Sequence, residues 1–236
     1  MSSIYEYLPY DSNWQMDPGE RLAVAALLAH LRPKVSLEIG SKYGGSLAVL
    51  SRHSDRVISL DIDPEVPTRL ARFTNVEFVI GDSRKTLPAT LARLRAEKAL
   101  LGFALVDGDH SAAGVRDDCR AFLAERPIAP LYVLMHDSFN PDVREGILAA
   151  GWESCPFVHA FELDLVPGSM KHPPLVRELW GGLGLAVLKP EDRKGPLEMG
   201  ACSDVGYRTL KRLSVHNLPV RRAMQVGRLL TGSRKK

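Results

Sequence analysis

The run Leu37-Glu38-Ile39-Gly40-Ser41-Lys42-Tyr43-Gly44-Gly45-Ser46 (residues 37–46) carries a β-type segment into a glycine-rich turn and on into a helical one. Glycines at a strand-to-helix turn take positive φ and let the backbone approach a ligand, and the helix that follows presents unpaired N–H groups. This is a nucleotide-type cradle. Its spacing is G-x-x-x-G-G rather than G-x-G-x-x-G, an imperfect dinucleotide fingerprint. Asp61 ends the next β-type run, 21 residues after Gly40, where an acidic side chain accepts hydrogen bonds from ribose hydroxyls. Together the turn and Asp61 favour a ribose-bearing cofactor.

Outward from this turn, short β-type runs alternate with helical stretches. KVSLEI, RVISLDI, VEFVI, GFALVD and APLYVLM read as strands. Helices are expected over Pro18–Leu31, with Asp17 as N-cap, and over Gly45–His53, Pro64–Phe73, Thr86–Lys98, Ala112–Glu125 and Pro141–Ala150. Such alternation implies a parallel sheet covered by helices on both faces. After Gly151, FVHAFELDL and GLGLAVLKP have no clear helix between them and read as an antiparallel pair closing the sheet. The expected fold is therefore α/β, a Rossmann-like, doubly wound, mostly parallel sheet with a C-terminal antiparallel strand pair. Residues 1–17 form an N-terminal arm, 18–190 the domain, and 191–236 an extension.

The 236 residues are 45% hydrophobic and 25% charged, which excludes wholesale disorder, collagen and coiled coil. No apolar run reaches the roughly 20 residues that span a bilayer, and MSSIYEYLPYDSNW lacks the pattern of a signal peptide, so a cytoplasmic location is expected. Cys119, Cys155 and Cys202 are odd in number and widely spaced, which suits reduced buried thiols better than disulfides or a Cys-rich zinc site. From Gly206 to Lys236 there are nine Lys or Arg and no acidic residue, leaving 22 basic against 28 acidic residues elsewhere. The tail can meet nucleic acid, anionic lipid or an acidic partner, or serve as a solvated solubility device.

The ordered set LEIGSKYGGS, SLDIDP, VIGDS, LVDGDH and LMHDS resembles the class I S-adenosylmethionine-dependent methyltransferases over about Pro18 to Lys189. Within them it is similar to the metal-dependent O-methyltransferases of the catechol and family-24 types. The resemblance implies that Glu38 and Gly40 line the methionine end of S-adenosylmethionine, with Ser41, Gly44 and Asp107 also in the cofactor site. It implies further that Asp61 holds the ribose and that Asp82 and Ser83 sit beside the adenine. Glu38, just before Gly40, suits a cationic, amine-bearing ligand better than a pyrophosphate.

A second constellation, Asp107-Gly108-Asp109-His110 and His136-Asp137-Ser138, follows the fourth and fifth strands at their carboxyl ends, where doubly wound sheets place ligands. Carboxylates suit hard divalent ions, and the family pattern assigns Asp107 and Asp137 to a metal, Mg²⁺ by default. His136 occupies a position usually acidic in relatives, which brings in Mn²⁺, Fe²⁺ or Zn²⁺ and makes it a third candidate ligand. His110, three residues after Asp107, is where catechol-type relatives carry a catalytic lysine. An imidazole there can take the proton of an acceptor hydroxyl while Asp107 holds the ion. The alternative is that His110 caps the next helix, or that both histidines are orienting struts.

Trp152, His159, Glu162 and Trp180 are candidates for lining an acceptor pocket, against core or edge packing for the tryptophans. Tyr5, Tyr7, Tyr10 and Trp14 form an aromatic arm, a lid or a docking strap. The implied activity is O-methylation of a small-molecule or glycan hydroxyl. Peripheral membrane contact through the tail and a homo-oligomer remain open. The rivals are a non-catalytic cofactor-binding scaffold, a metal-assisted oxidation, and RNA methylation. The last is disfavoured by the lack of a basic stripe interleaved with aromatics in the body.

Overall fold

The computed structural model describes residues 14–171, 177–200 and 204–216. Tyr5, Tyr7, Tyr10, Cys202 and most of the basic tail lie outside these residues.

The elements in chain order are α1 (Pro18–Leu31), β1 (Val35–Ile39), α2 (Gly45–His53), β2 (Arg56–Asp61), α3 (Val66–Arg69), β3 (Val76–Ile80), α4 (Ser83–Ala96), β4 (Leu101–Val106) and α5 (Ala112–Leu123). Then follow β5 (Leu131–His136), α6 (Pro141–Leu148), β6 (Val158–Val166), β7 (Ser169–Met170), β8 (Leu179–Trp180), β9 (Leu183–Leu188), β10 (Glu198–Met199) and α7 (Val205–Leu213). Eight strands form one sheet in the order β10-β6-β9-β5-β4-β1-β2-β3, and β7 and β8 form a separate antiparallel pair. Strands β1 to β5 are parallel; β9 runs antiparallel between β5 and β6, so the two C-terminal runs pair as expected. The order reverses between β1 and β4, the switch point at whose carboxyl ends such sheets place a ligand crevice.

Side-chain alternation on the strands builds two cores. Val35, Leu37 and Ile39 of β1 pack with α4, α5 and α6, whereas Phe103, Leu105 and Leu134 pack with α1, α2 and α3. The odd positions of β1 being apolar, its even positions face α2: the Ser36 hydroxyl meets that of Ser54 at 2.7 Å, and Ser46 donates to Glu38. Trp14 and Met16, each 3% exposed, belong to the α1 core, and Trp14 lies against Gly45. That end of the arm is docked on the body.

Two helices differ from expectation. The helix expected over Pro64–Phe73 is only Val66–Arg69, its start set by the Asp63 side chain, which ties Glu65 N at 2.9 Å into a turn. The helix expected from Thr86 starts at Ser83, because Asp82 accepts from Arg84 N at 3.0 Å as a true N-cap. Cys119 and Cys155 are buried free thiols. Among the described residues no helix is long and apolar enough to cross a membrane.

Behind α6, Arg144 (4% exposed) pairs with Asp164 of β6 at 2.7 Å, donates to Ser138 O at 3.1 Å, and lies 4.0 Å from the Tyr207 ring of α7. This one guanidinium ties three elements to the loop after β5. Arg144→Met should therefore cost about 3–5 kcal/mol in urea unfolding, because Asp164 is left buried without its counter-charge. A loss below about 1 kcal/mol would mean the pair is not holding this corner.

Glu38 is fully buried, and burial pushes its carboxyl up to about 7. Its folded pKa lies above its unfolded one, so the penalty is absent below about pH 4, grows as pH rises, and is complete above about 7. Glu38→Gln should gain stability on wild type between pH 5 and pH 8 by about 2–3 kcal/mol. Parallel pH curves for the two proteins would contradict this.

Candidate active site

The crevice opens into a cleft of about 910 Å³ at the carboxyl ends of β1, β2, β4 and β5. Gly40, Ser41, Asp61, Asp82, Ser83, Asp107, His110, His136 and Asp137 all line it. Glu38 and Gly44 do not. Glu38 points from β1 under α2, where its second carboxylate oxygen has no hydrogen-bond partner, and Gly44 is packed against Leu70 and Phe73.

The rim after β1 and β2 is built largely from backbone. Gly40 has φ +88°, and a Cβ there would lie 2.2 Å from Asp107 O, so only glycine lets the turns after β1 and β4 touch. Ser41 N and Lys42 N donate to Asp61 Oδ2 at 2.9 and 3.0 Å, while Asp61 Oδ1 receives Asp63 N at 2.9 Å. Asp61 is thereby fixed at the cleft edge with lone pairs to spare. Asp82 is held by Arg84, which lowers its pKa.

In the same cleft, Asp107, His136 and Asp137 bring one ligand atom each within 4.8 Å of one another. Alternation on β5 points His136 to the α1 face, as it does Leu134, and Asp107 follows Leu105 to the same side. His136 Nδ1 lies 2.9 Å from Asp107 Oδ1 and 3.4 Å from Asp137 Oδ2; its Nε2 lies 3.4 Å from Glu20 Oε2. Burial alone would lower the His136 pKa, but the Asp107 carboxylate, with Glu20 and Asp137, raises it well above the ordinary value. Asp107 is correspondingly lowered: burial opposes ionisation, and the two histidines outweigh it.

His110 Nε2 sits 3.0 Å from Asp137 Oδ2 and 3.6 Å from Asp107 Oδ1, with its ring edge-on to Trp180 at 5.6 Å. Those two carboxylates hold its pKa up at about 9. His110 does not cap α5; Ser111 does, accepting Gly114 N at 3.1 Å. Asp137 has φ +58° and is pinned by Gly181 N donating to its Oδ1 at 2.5 Å.

Of the four acceptor-pocket candidates, Trp180 lines the cleft. Trp152 is a core residue stacked on Phe161, with Nε1 donating to Ile147 O. His159 is bonded to Glu191 O and Glu162 to Asp164 N, both away from the cleft. Sequence reasoning missed Glu20, which is 1% exposed on the first turn of α1 and lines the cleft. Its signal was present in Asp17-Pro18-Gly19-Glu20, an N-cap followed three residues later by Glu, but that spacing points to helix capping alone.

The donor set of two carboxylates and one imidazole fits a divalent ion of borderline softness, and the buried acidic excess around it fits a positive charge.

Residues 37–138 match the model of a family described as a methyltransferase domain. No curated protein matches the chain in sequence. Among solved structures, the cofactor-bound Rv0187 from MTB is similar at 19% identity and TM-score 0.52, covering 76% of this chain and 84% of that one. An O-methyltransferase from Bacillus cereus in complex with SAH gives 17% and 0.52, covering 78% and 86%. The O-methyltransferase TomG from Streptomyces achromogenes, in complex with SAM, gives 16% and 0.52, covering 71% and 78%. The matched segment runs from β1 through the turn after β5, so residues 37–138, on this sheet order and around this crevice, carry the methyltransferase domain.

Proposed function

We propose that the protein moves the methyl group of S-adenosylmethionine to a hydroxyl of a small molecule or sugar, with a divalent ion held by Asp107, His136 and Asp137. The observation that carries this reading is the gathering of those three side chains, with His110, in the cleft that Gly40 and Asp61 also line. When bound, the ion supplies a positive charge that acidifies an acceptor hydroxyl.

The chain's own residues position and move the proton. Asp61 holds the ribose hydroxyls, Gly40 and Ser41 seat the methionine end, and Asp82 with Ser83 borders the adenine. Trp180 and His110 face the acceptor. S-adenosylmethionine would supply the methyl carbon from its sulfonium and leave as S-adenosylhomocysteine. The deprotonated form of His110, which Asp107 and Asp137 make scarce at neutral pH by holding its pKa at about 9, would take the hydroxyl proton at Nε2. The carboxylates of Asp107 and Asp137 lie beside the imidazolium so formed. Most of the rate gain is positioning, since a bound near-attack geometry replaces a bimolecular encounter.

The direct test is incubation of the protein and a metabolite extract with isotopically labelled methyl donor, read by mass spectrometry. A labelled O-methyl product that disappears on exhaustive chelation supports the reading. Turnover that survives chelation removes the ion from it, and donor binding without turnover on any hydroxylated acceptor favours a scaffold. His110→Ala should lower kcat by about 10²–10⁴ while S-adenosylhomocysteine affinity stays nearly intact, and its residual rate should rise with pH as hydroxide replaces the lost base. Near-normal turnover of the variant at neutral pH would make His110 structural.

A further inference from the structure

Glu20 belongs to neither the glycine turn nor the clusters after β4 and β5, yet it is among the most deeply buried charged residues of the cleft. Its Oε2 accepts Asp17 N at 2.5 Å and lies 3.4 Å from His136 Nε2, while its Oε1 accepts Gly182 N. The side chain is thus held from two sides by backbone donors and keeps one direction for the imidazole. Gly181, with φ +74°, permits this, because a Cβ there would come within 2.5 Å of Glu20 Oε1.

A neutral imidazole has one N–H and one lone pair, and whichever nitrogen donates leaves the other free to ligate. Glu20 can only accept. The opposite nitrogen, Nδ1, is the one that faces Asp107 Oδ1 at 2.9 Å and Asp137 Oδ2 at 3.4 Å. Glu20 itself stands outside the group of mutually close ligand atoms, which among the described residues consists of Asp107, His136 and Asp137.

We propose that Glu20 is a positioning residue that takes the Nε2–H of His136 and so presents Nδ1 as the ligating nitrogen beside Asp107 and Asp137. This rests on the metal reading above and adds the residue that orients its one nitrogen ligand. The arrangement carries the ordinary logic of a carboxylate orienting a metal-bound histidine, for which loss of the carboxylate typically weakens metal affinity about 10–100-fold. It gives α1 a role in the site, since the helix start that caps itself with Glu20 also fixes the tautomer of a residue 116 positions later.

The test has two readouts on the full chain, neither of them activity. Calorimetric titration with Mn²⁺ should show Glu20→Ala weakened about 10–100-fold and Glu20→Gln, which keeps an acceptor oxygen, weakened less. Nitrogen-15 NMR of the Zn²⁺-loaded wild type should show His136 protonated at Nε2. Equal Mn²⁺ affinity in wild type and Glu20→Ala overturns the assignment to Glu20 alone, leaving the metal site standing. Should Glu20→Ala fail to fold, protonation of His136 at Nδ1 in the loaded wild type overturns it without any variant. A wild type that binds neither ion overturns the metal reading and this inference with it.

Discussion

Three carboxylates, Glu20, Asp107 and Asp137, converge on two imidazoles at the carboxyl end of the sheet, and Glu20, His136 and Asp137 are nearly closed off from water. Burying one unpaired charge costs several kcal/mol, so this cluster holds only if each oxygen finds a donor. The surrounding fold supplies them. Gly181 N and Gly182 N reach Asp137 and Glu20, Asp17 N reaches Glu20, and Asp137 accepts a left-handed backbone to remain within range. The turn before β9 carries two consecutive glycines because both take positive φ, and a Cβ at Gly181 would strike Glu20 while one at Gly182 would strike Phe139 and Ser138.

Strand β9 inserts antiparallel between β5 and β6, so the chain arrives at the site from β8 with its N–H groups turned inward. Helix α1 then closes the site from the face to which His136 points. The cleft is thus lined by two kinds of group: backbone donors with Asp61 after β1 and β2, and ionisable side chains after β4 and β5. They meet at Asp107, whose carbonyl touches the Gly40 turn and whose carboxylate bonds His136.

Much of this was legible because it is local. The alternation of apolar runs and helical stretches carries the parallel sheet, and the glycine turn with Asp61 lies within one β-α-β unit. Asp107, His110, His136 and Asp137 could be grouped because strand ends in such a sheet share one rim. What was not legible depends on contacts between distant segments. Glu20 meets His136 only because α1 packs on the face that β5 presents, which no spacing along the chain reveals. Trp180 enters the cleft and Trp152 does not because one ends β8 just before the Gly181–Gly182 turn and the other packs under α6. Glu38 reads as a cofactor residue by its place beside Gly40, but the pleat turns it under α2.

The measurement that bears most directly on a methyl-transfer site built around an ion is anomalous diffraction from crystals soaked with Mn²⁺ and S-adenosylhomocysteine. The account predicts an anomalous peak bounded by a carboxylate oxygen of Asp107, a carboxylate oxygen of Asp137 and His136 Nδ1, with the homocysteine product lying along the Gly40–Asp61 wall. Product in that wall with no peak at those three residues, and His136 still bonded to Asp107, would contradict it.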